Sequence, residues 1–163
     1  TMPIVFTSRV FSVDVDARTM PDGTVRTVTI VRHRPSVVII PVQDDGRVVL
    51  VRQYRASVDR VLWELPAGGV NEGETPEAAL VRELREELSI EVCETCLAPF
   101  TFASHTYQDF HLLMPLYLCR NWEGEIEPRE GQRIRWIRAS RLKDVPMPPA
   151  DLPLIPFLRD LLG

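Results

Sequence analysis

Apolar and polar residues alternate in VFSVDVDA (10–17) and again in TVRTVTIVRH (24–33), with RTMPDGT between them. Period-two alternation puts every second side chain on one face of a strand, and Asp22-Gly23 is the kind of pair that closes a tight turn. The pattern predicts a β-hairpin. SVVIIPVQ (36–43) and RVVLVRQYR (47–55) are nearly continuous apolar runs on either side of Asp44-Asp45-Gly46, which predicts a second hairpin. CLAPFTFAS (96–104), FHLLMPLYLC (110–119) and QRIRWIRA (132–139) predict further strands. The period changes after the loop ELPAGGVNEGE. Leu80, Leu84 and Leu88 recur every fourth residue, Thr75 suits an N-cap and Pro76 a first helical position, so the segment from Thr75 to Leu88 predicts an amphipathic helix. The proline-rich DVPMPPADLPLIP (144–156) interrupts regular structure ahead of a short final helix, FLRDLL (157–162). Strands outnumber helices, and neither a repeat nor a linker divides the chain. That is the outline of a layered α/β domain.

Composition narrows the function classes. A chain of 163 residues is long enough for one complete core. Apolar residues make up 45% and charged residues 26%, as in a water-soluble globular protein. A formal charge of -4 gives no overall basic field, so duplex nucleic acid is not an expected partner. No apolar run approaches the ~18 residues of a membrane helix, no signal-peptide pattern opens the chain, and Thr1 before Met2 has the look of a cloning remnant. Cys93, Cys96 and Cys119 are an odd number and make no disulfide framework. Cys93-Glu-Thr-Cys96 has CxxC spacing, but no second pair or histidine run completes a zinc site. Reduced thiols beside a strand, in a cytoplasmic protein, are expected.

The central helix carries the candidate chemistry. Glu83, Glu86 and Glu87 fall at i, i+3 and i+4, so their like charges share one face beside the leucine stripe. A solvated acidic face is the ordinary explanation of such a run. A solvated face usually interleaves lysine, however, and this helix offers only Arg82 and Arg85. Gly68 and Gly69 stand just ahead of it and let backbone approach a ligand closely. Clustered carboxylates beside a free carbonyl are a hard-oxygen site of the kind that holds Mg²⁺ or Mn²⁺.

Gly68, five residues, Glu74, seven residues and then RELREELSI (82–90) match the Nudix box, the signature of Nudix pyrophosphohydrolases. The chain departs from that pattern at Ser89, where the family usually has a helix-ending glycine. The resemblance implies an α/β/α sandwich with a mixed central sheet and, here, an N-terminal β-hairpin extension. It implies that Glu83, Glu86 and Glu87 hold divalent metal with the backbone carbonyl of Ala67. Arg82 would orient the carboxylates, and Glu74 would tie the loop to the helix. A metal-activated water would attack one phosphorus of a diphosphate bridge, with a carboxylate outside the box as general base. Glu123, Glu125, Glu127 and Glu130 are the candidates. Glu130, in REGQ, resembles a metal-ligating position of the MutT-like branch and is favoured.

Two subfamilies are resembled at once. Residues 10–66, with DDGRVVLVRQYR and LWELPAGG, look like ADP-ribose and nucleotide-sugar pyrophosphatases. From about residue 91, FASHTYQDFHLLMPLYLCRNWEGE, REGQ and MPPADLPLIP look like MutT-type nucleoside triphosphate pyrophosphatases. The first half implies that residues 1–35 are an exchanged strand extension forming a homodimer, ahead of a catalytic domain at 36–163. The second implies that Asp151, after PPA, reads the nucleobase edge, where one branch has Asn; a helix N-cap is its structural alternative. FASHTYQDF lacks the loop proline of the ADP-ribose branch. Gln53 stands where MutT relatives offer a phosphate-binding arginine, so Arg52 and Arg55 are the expected phosphate contacts, with Gly68 approaching the substrate. His105, Tyr107 and His111 are candidate pocket residues. Hydrolysis of a (d)NTP or oxidised dNTP to the monophosphate and pyrophosphate is the favoured expectation, and cleavage of ADP-ribose or a nucleotide sugar the alternative. A non-catalytic nucleotide sensor and a CxxC redox module are the rivals from other classes.

Overall fold

The computed structural model describes residues 4–8, 11–108, 111–129 and 131–163, and it divides into a unit over Thr1–Pro35 and a unit over Ser36–Gly163. The first is one antiparallel sheet in the order β1-β2-β3: β1 (Ile4–Thr7), β2 (Phe11–Thr19) and β3 (Val25–His33). The expected hairpin forms between β2 and β3, in unbroken register from Phe11↔His33 to Thr19↔Val25. Asp22 stabilises the turn by accepting from the N–H and hydroxyl of Thr24. Asp14 is buried within the sheet and ion-paired to Arg32.

The second unit contains two sheets. β7 (Ala67–Gly69), β4 (Ser36–Pro41), β9 (His111–Cys119) and β8 (Leu97–Thr106) form a mixed sheet in that order, with β4 and β9 parallel. β10 (Arg133–Arg138), β5 (Arg47–Arg55) and β6 (Arg60–Glu64) form an antiparallel one. The second hairpin expected across Asp44-Asp45-Gly46 is therefore a correction. The turn forms, with Gly46 N–H donating to the Gln43 carbonyl and Gln43 N–H to the Arg47 carbonyl, each at 2.9 Å, but β4 and β5 enter different sheets, and their antiparallel pairing stops at the isolated bridge Val42↔Val48. The reason is that both edges of β4 are taken, one by β7 and the other by β9. β7 itself lies in what the pattern marks as loop; three residues are too short for alternation to register.

The continuous apolar character of β4 and β5 follows from burial on both faces. Val38 and Ile40 of β4, Val48 and Leu50 of β5 and Leu116 of β9 enter a core with Leu154 and Leu158 of α2 (Leu154–Leu162). Val37 and Ile39, Val49 and Val51, and Tyr117 point the other way, against Leu80, Leu84 and Leu88 of α1 (Pro76–Leu88). Helices cover both sides, as the α/β/α expectation required. α1 begins as its sequence dictates, with Thr75 Oγ1 accepting from the N–H of Ala78 at 3.1 Å and Pro76 in first position.

Cysteine pairing is a second correction. Cys93 and Cys96 are joined as a disulfide, and Cys119 alone is free, buried, its thiol pushed up by burial. The three-residue turn Glu94–Cys96 brings the two Cα atoms to 5.2 Å, inside disulfide range. Among the described residues no helix is long and apolar enough to cross a membrane.

Leu84 is fully buried and contributes side-chain contacts that fix α1 on the sheet. Leu84→Ala should destabilise the chain by about 2–5 kcal/mol in denaturant unfolding, and a loss under ~1 kcal/mol would show that α1 is not held by this stripe.

Candidate active site

The site begins where β7 meets α1. A side chain at Gly68 would place its Cβ 2.0 Å from the Cγ and Cδ of Glu83, so the absence of one is what lets Glu83 lie across β7. Arg82 then ties loop, strand and helix together. Its Nε and Nη2 donate to the two oxygens of Glu74 at 3.0 Å each, and Nη2 also reaches the Gly69 carbonyl at 2.7 Å. Nη1 donates to Glu83 at 2.7 Å and to Glu86 at 3.4 Å. Glu74 in turn accepts from the N–H of Asn71 at 2.9 Å. The Arg82 guanidinium, with that N–H, holds the Glu74 carboxyl down at about 2.

The far end of α1 is bound to the segment that precedes Glu130. Ser89 takes the left-handed conformation, φ 64°, and its N–H closes on the Leu84 carbonyl. Serine thus occupies the usual glycine position, and its hydroxyl adds something glycine lacks. It donates to the Glu127 carbonyl at 3.2 Å and accepts from Arg129 Nε at 2.7 Å. The N–H groups of Glu127 and Arg129 donate to the carbonyls of Leu88 and Glu87. Glu130 itself lies outside the described residues. Of the other candidate bases, Glu123 forms a backbone bridge with Glu91, and Glu125 lines a separate cavity with Trp122 and Trp136.

A third group joins this site at the end of β5. Arg55 forms a bidentate pair with Glu64, which is buried, rather than standing free for phosphate. Its charge also feels Glu87 and Asp151. Asp151 is 6% exposed, and burial, reinforced by the charge of Glu64, lifts its carboxyl to about 7 against the opposing pull of the Leu65 N–H and Arg55. The N-cap alternative for Asp151 is corrected: α2 is capped by Pro153 without a side-chain bond, and Asp151 meets the helix start through its backbone, its carbonyl accepting from the Leu154 N–H at 3.0 Å. Tyr107 is raised by burial and then by the charges of Asp151 and Glu64. His105 stacks edge-on to Tyr107 at 4.5 Å, whereas His111 is exposed and engaged by the hydroxyls of Ser104 and Thr106. Glu64 escaped notice in the sequence. Its only signal was a lone carboxylate ending an apolar strand before Leu65-Pro66.

Arg52 and Gln53 lie apart from this group, on a cavity of about 270 Å³ shared with Tyr54, Gly131 and Gln132. Glu83, Glu86 and Glu87 share one helix face as their spacing requires, and Ala67 is exposed beside them on β7, opposite Val38. Among the described residues no three His, Cys, Asp or Glu side chains converge as metal ligands; Glu83 and Glu86 are turned to Arg82 instead. The donors nevertheless fit a hard divalent cation. They are carboxylate oxygens on one helix face, and the space left by the missing Gly68 side chain admits the Glu83 carboxylate to that face.

A family model for the NUDIX domain matches residues 32–160. The chain belongs to the Nudix domain family. Both expected branches occur among its Nudix relatives. It is 35% identical over 83 residues to an ADP-ribose pyrophosphatase of Bacillus subtilis, covering 51% of this chain and 45% of that protein. It is 38% identical over 98 residues to an 8-oxo-dGTP diphosphatase of Escherichia coli, covering 60% and 74%. A solved MutT structure, from work on Aliivibrio salmonicida and Vibrio cholerae, superposes with a TM-score of 0.66 at 27% identity, over 78% of this chain and 98% of that one. The chain spans about half the length of the Methanol dehydrogenase activator of Bacillus methanolicus and of the curated ADP-ribose pyrophosphatases it matches.

The raised Asp151 carboxyl gives a testable pH dependence. Its ordinary value is 3.8 and its folded value about 7, so between these the folded state binds more protons and stability falls as pH rises. Asp151→Asn should remove this contribution. The wild type minus variant difference in unfolding free energy should decrease from pH 4.5 to pH 7.5, and a flat difference would contradict the buried, proton-binding environment.

Proposed function

We propose that this chain is a divalent-metal-dependent nucleotide pyrophosphohydrolase that cleaves the diphosphate linkage of its substrate with water. The observation that carries this reading is the close approach of Gly68 to Glu83 within the Arg82 network, which presents the acidic face of α1 at the β7 backbone. Glu83, Glu86, Glu87 and Glu130, with the Ala67 carbonyl, would hold Mg²⁺ or Mn²⁺. When bound, such an ion neutralises diphosphate charge and acidifies a coordinated water. Arg82 keeps Glu83 and Glu86 oriented between turnovers and takes no proton itself. Gly68 leaves the backbone low enough for phosphate oxygens to approach. Glu130 would accept the proton of the attacking water; its neighbour Arg129 is fastened to the Glu87 carbonyl, which supports this role.

For substrate, the reading favours a (d)NTP or oxidised dNTP, hydrolysed to a monophosphate and pyrophosphate. Asp151, buried and under the charge of Glu64, would read a base edge, and at about 7 its carboxyl can donate as well as accept near neutrality. The B. subtilis relative favours ADP-ribose as the second reading. A cytoplasmic setting suits either nucleotide, although the Cys93–Cys96 bond withdraws the cysteine argument for it. Residues 1–35 are proposed to form a homodimer. Ile4, Val25 and Val31 are each more than half exposed, and an apolar sheet left open is an association surface.

Glu86→Gln and Glu87→Gln should each lower kcat by orders of magnitude with the circular-dichroism spectrum unchanged, and excess EDTA should abolish turnover of both (d)NTPs and ADP-ribose. Full activity of both variants in Mg²⁺ would overturn the assignment. Sedimentation at micromolar concentration should show a dimer, reduced to monomer or insoluble material when residues 1–35 are removed; a full-length monomer would refute the role given to that segment.

A further inference from the structure

The Cys93–Cys96 disulfide takes no part in the α1 site, and it adds little that the turn beneath it lacks. A cross-link stabilises chiefly by closing loops in the unfolded chain, and residues three apart in sequence enclose a nearly minimal loop. The turn is also held without the bond. Cys96 N–H donates to the Cys93 carbonyl at 2.9 Å, and Leu97 N–H donates to the Glu94 carbonyl. Val92 and Leu97, on either side, are buried in the core that faces α1. Opening the S–S bond would therefore leave the two Cα atoms close to their present 5.2 Å, within range to close again.

The two cysteines differ in access. Cys93 is exposed, whereas Cys96 is half-buried against the core that contains Leu88, Val92 and Leu97. The Thr95 hydroxyl donates to Cys93 Sγ at 3.4 Å, a contact that favours this sulfur as a thiolate. Thiol–disulfide exchange needs one sulfur that an incoming thiolate can reach, and a sheltered second one that leaves and later resolves the mixed disulfide. The remaining thiol does not compete for that role. Cys119 is fully buried and donates to the Asn121 carbonyl.

We propose that the Cys93–Cys96 pair is a reversible redox site that exchanges with a dithiol, Cys93 being the sulfur attacked. A thiolate of the dithiol attacks Cys93 Sγ. The Cys93–Cys96 bond breaks, and its electron pair leaves on Cys96 Sγ, which takes a proton. The other thiolate of the dithiol then attacks its partner sulfur in the mixed disulfide and expels Cys93, which is protonated in turn. Two electrons and two protons pass to the pair, and the dithiol becomes a disulfide; the reverse reaction reoxidises the chain with a disulfide as acceptor. The site is independent of the pyrophosphohydrolase reading and is tested without a nucleotide. The full chain is equilibrated with excess glutathione disulfide or with dithiothreitol, labelled with N-ethylmaleimide under native conditions and weighed by mass spectrometry. It should gain no label in the first case and two in the second. Reduced chain returned to glutathione disulfide should again gain none. Cys119 should take label only in denaturant, and the circular-dichroism spectrum should be the same throughout. Label in the glutathione disulfide sample, or sulfurs that are reduced only as the fold is lost, would overturn the proposal, the latter making the bond a structural cross-link. Single variants test the direction of attack. Cys93 of the Cys96→Ser chain should be trapped as a stable mixed disulfide with glutathione, and Cys96 of the Cys93→Ser chain should react about tenfold more slowly. Equal rates would remove the assignment of Cys93.

Discussion

The geometry of this site depends on one side chain. Arg82 places its fork of donors on Glu74, Glu83, Glu86 and the Gly69 carbonyl, joining the loop before α1, the short strand β7 and the helix itself. A guanidinium suits this position because its N–H groups diverge in a fixed plane, and an ammonium would offer a point charge without that shape. Without the joint, three carboxylates on adjacent turns would repel and splay, and β7 and α1 would be held together only through their shared packing on β4. The contact at Gly68 is the steric counterpart: the arginine draws the two elements together, and the missing side chain lets them meet.

The frame around that joint is apolar and indifferent to chemistry. Leu80, Leu84 and Leu88 bury α1 so that its acidic face can only point along β7. At the far end Ser89 accepts a left-handed backbone and returns two hydrogen bonds to the segment over Glu127 and Arg129. The departure from glycine at this position thus has a local compensation. On the β5 side, exposed Arg55 pairs with buried Glu64, and burial with the Glu64 charge raises the Asp151 carboxyl to about 7.

What could be read from the chain was local in sequence. The β2–β3 hairpin, the Thr75 cap, the leucine stripe and the shared face of Glu83, Glu86 and Glu87 each depend on residues within a few positions of one another. Gly68, Glu74 and Arg82 were readable because the box fixes their spacing. Pairings decided at a distance were not. Nothing between residues 36 and 55 says that β9, seventy residues on, will claim the edge of β4 and send β5 to another sheet. The Glu64–Asp151 proximity likewise joins residues far apart in sequence, as do the bonds from Ser89 to Glu127 and Arg129. The Cys93–Cys96 pair was misjudged for a different reason: composition argued from compartment, whereas a tight turn set the distance.

β4, β5 and β9 are shared between two cores, each strand giving alternate side chains to the α1 layer and the α2 layer. The two layers are therefore coupled through a parity. Inserting or deleting a single residue within β4 would exchange the side of every residue beyond it, sending Ile40 toward α1 and Ile39 away from it. The isoleucine and valine repeats of SVVIIP would survive that exchange in bulk but not in register with Gly68. The family's tolerance for inserted length should accordingly lie in the turns at 20–24 and 43–46, and the strands that adjoin α1 should vary by substitution alone.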